Sequence, residues 1–176
     1  METQPGFTLI ELCMTLAVVA VVTALAAPSV TQARRDANAL AVYHSTTSSL
    51  ALARSLAVTR GHPVTLCPSD DGHSCTGGVD WSAGWIMYLD RTRSSQPENA
   101  SAVMEVSPPL KRGFALRSSA GRQRIRYLPH GWASGSNVSL ALCSGGDSRL
   151  LGKVVVNNAG RARIQRAAGP TDCPGA

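Results

Sequence analysis

Apolar residues run almost without interruption from position 7 to position 33, and after Glu11 no charge returns before Arg34. The run predicts one long helix over residues 7–57. Pro28 is expected as its interior kink or local break, because proline removes an amide donor and clashes one turn back. Past the apolar stretch the pattern narrows to a stripe: Tyr43, Leu50 and Ala57 recur every seven residues, close enough to helical period to lie against a sheet. Arg60-Gly61 followed by Pro63 ends the helix. Short apolar runs then alternate with turn residues and predict strands at 64–67, 84–89, 102–106, 123–127, 138–143, 151–156 and 161–166. Val138, Leu140 and Leu142 alternate with smaller partners as a half-buried strand should, whereas 90–99 and 144–148 read as loops.

The apolar run opens on Gly6-Phe7-Thr8-Leu9-Ile10-Glu11-Leu12. A lone carboxylate at membrane depth costs about 2.5 to 3.5 kcal/mol, so something must offset it. This start resembles that of a type IV prepilin. The resemblance implies a leader of residues 1–6, cut by a prepilin peptidase between Gly6 and Phe7. It also implies methylation of the Phe7 amine and pairing of Glu11 with that amine during assembly. Residues 7–33 would be membrane anchor and fibre core, and 34–60 the soluble half of the helix. The leader contains Glu2 and no basic residue while Arg34 and Arg35 follow the apolar run, an order that the positive-inside rule alone would orient the other way. The Gly6-Phe7 junction sets the expectation instead: amino end in the cytoplasm, a single pass of the inner membrane, and the bulk of the chain in the periplasm and later in a surface pilus. The competing reading is an uncleaved anchor or a secretory signal, with Ala24, Ala26 and Ala27 as the small residues of a cleavage site.

Composition supports a turn-rich β domain beyond the helix. Of 176 residues, aromatics are 5% and charged residues 16%, with 16 Gly and 10 Pro, and residues 61–176 are long enough to bury one core. Charge is uneven. Residues 1–110 carry six basic and nine acidic side chains, a net of −3, whereas 111–176 carry eleven basic and two acidic, a net of +9. A cationic third points to a polyanion, either nucleic acid or an anionic envelope surface; a solvated basic face with no ligand is the plainer alternative. Five cysteines suit an oxidising compartment. Cys67 and Cys75 bracket a short polar loop and Cys143 and Cys173 would staple the tail, leaving Cys13 over. His62 and His73 keep zinc open as a competing use of the thiols, although the spacing matches no familiar paired motif.

Further along, Leu52-Ala53-Arg54-Ser55-Leu56-Ala57-Val58-Thr59-Arg60-Gly61 enters Val64-Thr65-Leu66-Cys67. Trp81-Ser82-Ala83-Gly84-Trp85, Asp90, Tyr127-Leu128-Pro129-His130-Gly131 and Gly160-Arg161-Ala162-Arg163 follow. Together they resemble the FimT and GspH minor pilins. The fold implied is α+β: a type IV pilin fold with a long amino-terminal helix packed on a β-sandwich-like domain of two antiparallel sheets. It also implies a minor subunit whose partners are other pilins. Trp81 and Trp85 read as core anchors more readily than as a ligand cage, Pro129-His130-Gly131 as a turn first, and Asn137-Val138-Ser139 as a chance sequon.

Gly160-Arg161-Ala162-Arg163 resembles the GRxR motif through which FimT-type pilins of natural transformation bind DNA. On an extended strand Arg161 and Arg163 would share one face about 6.6 Å apart, and guanidinium forks meet phosphate oxygens bidentately. The pattern recurs at Gly121-Arg122-Gln123-Arg124, where Arg122, Arg124 and Arg126 would share a strand face. Position favours the later copy, with Lys153 and Arg166 as neighbours and Lys111, Arg112 and Arg117 as extensions of the earlier patch. Phosphate contacts carry no base information, so binding would be weak, salt-sensitive and independent of sequence. The alternative is a structural minor pilin or type II secretion pseudopilin that primes or caps a fibre without a ligand. Enzymatic motifs, nucleotide-cradling loops and cofactor signatures are not recognisable, and His44, His62, His73 and His130 are scattered.

Overall fold

The computed structural model of this protein describes residues 6, 8–135, 137–146 and 148–174. Apart from Gly6, the expected leader lies outside these residues, and so does Phe7 as the expected cleavage and methylation site. Helix α1 spans Leu9–Arg60. It starts two residues later than expected because Thr8 caps it, its hydroxyl accepting the Glu11 amide at 3.3 Å. It ends at Arg60, as the Arg60-Gly61 and Pro63 signals predict, with Gly61 at a left-handed φ of 65°. The helix runs through Pro28 without interruption, so that position is not a break. Proline removes only one donor there, and the hydroxyls of Thr23 and Ser29 bond back to helix carbonyls on either side.

The chain divides into two compact units, one ending at Asn38 and the other running from Ala39. In the first, large apolar helical side chains are exposed, Leu9 by 81% and Leu25 by 76%. With a mean hydropathy of 2.4 in its most apolar stretch, the helix is long and apolar enough to cross a membrane.

Among the described residues the second unit contains eight strands. Strands β1 (Val64–Pro68), β2 (Trp85–Leu89), β3 (Val103–Ser107) and β5 (Ile125–Tyr127) form one antiparallel sheet in the order β3-β2-β1-β5. Strands β4 (Phe114–Ser118), β6 (Val138–Ser144), β7 (Leu150–Val156) and β8 (Ala162–Arg166) form the other, in the order β4-β6-β7-β8. Strand β4 was not expected from the sequence: Leu116 is its sole large aliphatic residue, and it is recruited because it pairs opposite Leu142 of β6 in the core. One cluster unites Val42, Tyr43, Leu50, Ala53 and Ala57 of the helix with Leu66, Met87 and Tyr127 of the first sheet and Leu116, Leu140 and Val154 of the second. Each fully buried aliphatic side chain there contributes about 1.5 to 3 kcal/mol. Trp81 and Trp85 sit inside this core with ring centroids 6.5 Å apart, so neither forms a ligand cage.

Disulfides join Cys67 to Cys75 and Cys143 to Cys173, and Cys13 is free. The first packs its loop over Ile86 and Tyr88 on the outer face of the first sheet, and the second closes the tail over Ala141 and Leu150. The loop is tied further by Asp71, whose carboxylate accepts from the Ser74 hydroxyl and from the His73 and Ser74 amides. Those bonds hold its pKa well below the usual carboxylate range. The zinc alternative loses its ligands here, because Cys67 and Cys75 are bonded to each other.

Candidate nucleic-acid interface

The two Gly-Arg-x-Arg segments fall on different sheets, each at an edge: the earlier one leads into β5, the later one into β8. At the earlier copy, the turn through Gly121 (φ 73°) is locked by the Arg122 amide donating to the Ser119 carbonyl at 3.0 Å and by the Ser118 hydroxyl on the Arg122 carbonyl. That turn delays the strand to Ile125, two residues later than expected. Arg122 and Arg124 therefore lie outside β5, and the shared strand face expected for Arg122, Arg124 and Arg126 does not form. Arg122 instead reaches Gly135, where an added Cβ would lie 2.8 Å from its Nη1. Arg124 sits near the Tyr88 phenol, on which its charge acts.

Arg126 is part of the fold. Its Nε lies 2.6 Å from Asp90 Oδ2 and 3.1 Å from Thr65 Oγ1, and its Nη2 donates to the Ser94 carbonyl at 2.8 Å. Asp90 is 1% exposed and also accepts from the Thr65 hydroxyl and the Ser94 amide. The guanidinium so engaged clamps the 90–96 loop through its Nε and Nη2, and its charge is already met by Asp90, so Arg126 is less available to phosphate than an arginine without an acidic partner.

At the later copy the arginines are free of such ties. Gly160 has φ 75°, and a Cβ on it would lie 2.2 Å from the Gly131 carbonyl oxygen and 3.1 Å from the Tyr127 ring. The glycine is thus required for the turn after β7 to dock on the turn after β5. Arg54 of the helix completes the junction, its Nε donating to the same Gly131 carbonyl at 3.0 Å. Burial drives the enclosed Tyr127 phenol up to about 12, with the Arg54 charge pulling the other way. Arg161 precedes β8, its amide held by Asn157 Oδ1 at 2.9 Å, and lines an open groove of about 880 Å³ with Gly160, Ala162 and the helix residues Arg54 and Val58. Arg163 pairs with Val155 and lies on the face away from the core, as does Lys153 opposite Gln165. Arg166 falls on the other face. It pairs with Gly152, where a Cβ would meet Tyr43 Oη at 2.5 Å and the Arg166 Cα at 3.1 Å. Arg161 and Arg163 are both exposed, and among the described residues neither guanidinium has an acidic partner.

Sequence reasoning passed over Trp132. It is 55% exposed and its ring centroid lies 6.0 Å from that of His130, on the turn that contacts Gly160. Its placement among Gly131, Ser134 and Gly135, outside any strand pattern, was the available signal.

A model of the family described as type II transport protein GspH matches residues 44–160. The chain belongs to the GspH family. Two solved structures share the fold of this GspH-family chain. One is the type IV minor pilin FimU of Pseudomonas aeruginosa strain PAO1, with 16% identity and a TM-score of 0.56 over 76% of this chain and 98% of that one. The other is the minor pseudopilin EpsH of the Vibrio cholerae type 2 secretion system, with 15% identity and a TM-score of 0.53 over 75% of this chain and 99% of that one. A search of curated proteins returned no match. The expected α+β type IV pilin fold is therefore found, and so is membership in the GspH family. The family match stops at Gly160, one residue before Arg161.

Proposed function

We propose that this GspH-family chain is a minor type IV pilin that binds DNA without sequence preference through Arg161 and Arg163, for DNA uptake in natural transformation. One observation carries the reading: these two arginines are exposed and have no acidic partner among the described residues, in a segment of net charge +9. Lys153 on the face of Arg163, and Arg122 and Arg124 near the first-sheet edge, extend the positive surface. Before assembly the chain sits in the inner membrane by its apolar helix, is processed by prepilin peptidase at Gly6 and Phe7, and then joins other pilins in the fibre with Glu11 neutralising the new amine. Individual affinity would fall around 10⁻⁴ to 10⁻⁶ M near physiological salt, raised by avidity where several copies meet one strand.

A second reading is favoured by the extent of the family match, which covers residues 44–160 and excludes both arginines. On it the chain is a structural minor pilin or secretion pseudopilin that primes or caps a fibre. Reversing both charges, Arg161→Glu with Arg163→Glu, separates the two. A DNA receptor loses binding with its fold and fibre incorporation intact, whereas a purely structural subunit shows no DNA binding to lose.

A further inference from the structure

The turn that carries Trp132 joins the two arginine clusters. At one end Gly135 abuts the Arg122 guanidinium and the Ser134 amide bonds the Arg126 carbonyl at 2.7 Å. At the other, Gly131 abuts Gly160 and the Ala133 amide bonds the Asn158 carbonyl at 3.0 Å, one turn from Arg161. Within it the Leu128 amide donates to the Trp132 carbonyl at 2.9 Å and the Gly131 amide to the Leu128 carbonyl at 2.8 Å, so the segment is held at both ends and across its middle. A large aromatic ring on so constrained a turn would ordinarily be buried, as Trp81 and Trp85 are at 1% and 2% exposure, yet Trp132 is 55% exposed. His130 tilts against it at 57° and supports one side of the indole.

We infer that the ligand of this surface is single-stranded DNA, with a base stacked on Trp132 while the flanking arginines hold the backbone. The inference rests on the reading of Arg161 and Arg163 as phosphate contacts and adds the strand class. A duplex keeps its bases stacked on one another, so an aromatic ring beside its phosphates gains little. An unpaired base offers a π face to any ring that stands near a cationic track, whatever the sequence. Arg122 stands at one end of the turn and Arg161 follows the Gly160 contact at the other, which puts a cation on either side of one stacking step.

The test uses the full chain in non-ionic detergent with an oligothymidylate strand, an abasic strand of equal length and a duplex. Trp132→Ala is expected to weaken binding of the oligothymidylate about fivefold or more and to leave the duplex and the abasic strand unchanged. Trp132→Phe should recover part of the loss. Oligothymidylate should quench the tryptophan fluorescence of the wild-type chain, and the quenching should vanish in Trp132→Ala, where only buried Trp81 and Trp85 remain. If Trp132→Ala binds the oligothymidylate as the wild type does while Arg161→Gln with Arg163→Gln weakens it, the stacking inference is overturned and the phosphate reading stands. A Trp132→Ala chain that loses only fibre incorporation equally overturns it, making the ring a pilin contact. Indifference of every strand to the double arginine change overturns the underlying reading itself.

Discussion

Residues 121–124 and residues 160–163 spell the same Gly-Arg-x-Arg pattern, lead into edge strands of different sheets, and are put to different uses. In the first, a tight turn delays the strand and the arginine that does enter it, Arg126, is bound to nearly buried Asp90. In the second, the glycine is pinned between Tyr127 and Gly131 and the arginines that follow project without acidic partners among the described residues. A motif of cations is therefore available to a ligand only where the neighbouring strands bring no carboxylate to it. The asymmetry follows from the charge distribution, because Asp90 lies in the acidic two-thirds that supplies β1, β2 and β3 of the first sheet, while β7 and β8 contain no acidic residue.

The largest expected effect that would sharpen this contrast is at Arg126. Arg126→Ala leaves Asp90 buried without its counter-charge and should lower unfolding free energy by about 3 kcal/mol in urea denaturation, with DNA affinity of the folded protein hardly altered. A stable Arg126→Ala chain that binds DNA poorly would break the comparison. Next comes the pair of glycines. Gly160→Ala brings a Cβ within 2.2 Å of the Gly131 carbonyl at a left-handed φ of 75°, and should cost about 2 kcal/mol or more. Gly121→Ala has the same kind of φ, 73°, but open space around it, and should cost about 1 kcal/mol. Equal thermal shifts for the two would mean that the docking of the two turns contributes nothing. A smaller effect concerns Tyr127 beneath that junction. Its pKa is raised from 10.0 to about 12, so the neutral phenol is the form the fold prefers. That contribution is whole below pH 10 and is lost as pH climbs towards 12. Tyr127→Phe removes a buried hydroxyl that has no hydrogen-bond partner among the described residues. It should leave neutral stability within about 1 kcal/mol and flatten the stability decline between pH 10 and 12, which pH-jump unfolding would record.

Much of the fold was legible because it depends on periodicity. The Tyr43, Leu50 and Ala57 stripe and seven of the eight strands follow from spacing that any apolar face must have. Strand β4 escaped because its membership depends on a partner, Leu142 across the sheet, and not on its own pattern. Of the kink or local break expected at Pro28, the break does not occur, since a helix can lose one amide donor and continue. At the candidate site the residue types were visible and their availability was not. Nothing local to Arg126 announces Asp90, 36 positions away and brought to it by the pairing of β5 with β1. Nothing local to Gly160 announces Gly131. Trp132 was passed over for a related reason: exposure is decided by the whole surface.

The central proposal is that the later arginine pair, Arg161 and Arg163, is the main phosphate contact and the earlier pair, Arg122 and Arg124, a lesser one. The direct measurement is the salt dependence of DNA binding for the full chain, the Arg161→Gln with Arg163→Gln chain, and the Arg122→Gln with Arg124→Gln chain, each with thermal unfolding recorded alongside. The account predicts a negative log-log slope whose magnitude falls by about two for the first pair, since each lost contact removes roughly one unit, and by less for the second, with melting temperatures essentially unchanged. A slope indifferent to Arg161 and Arg163, or a double mutant that unfolds instead of losing affinity, would contradict it.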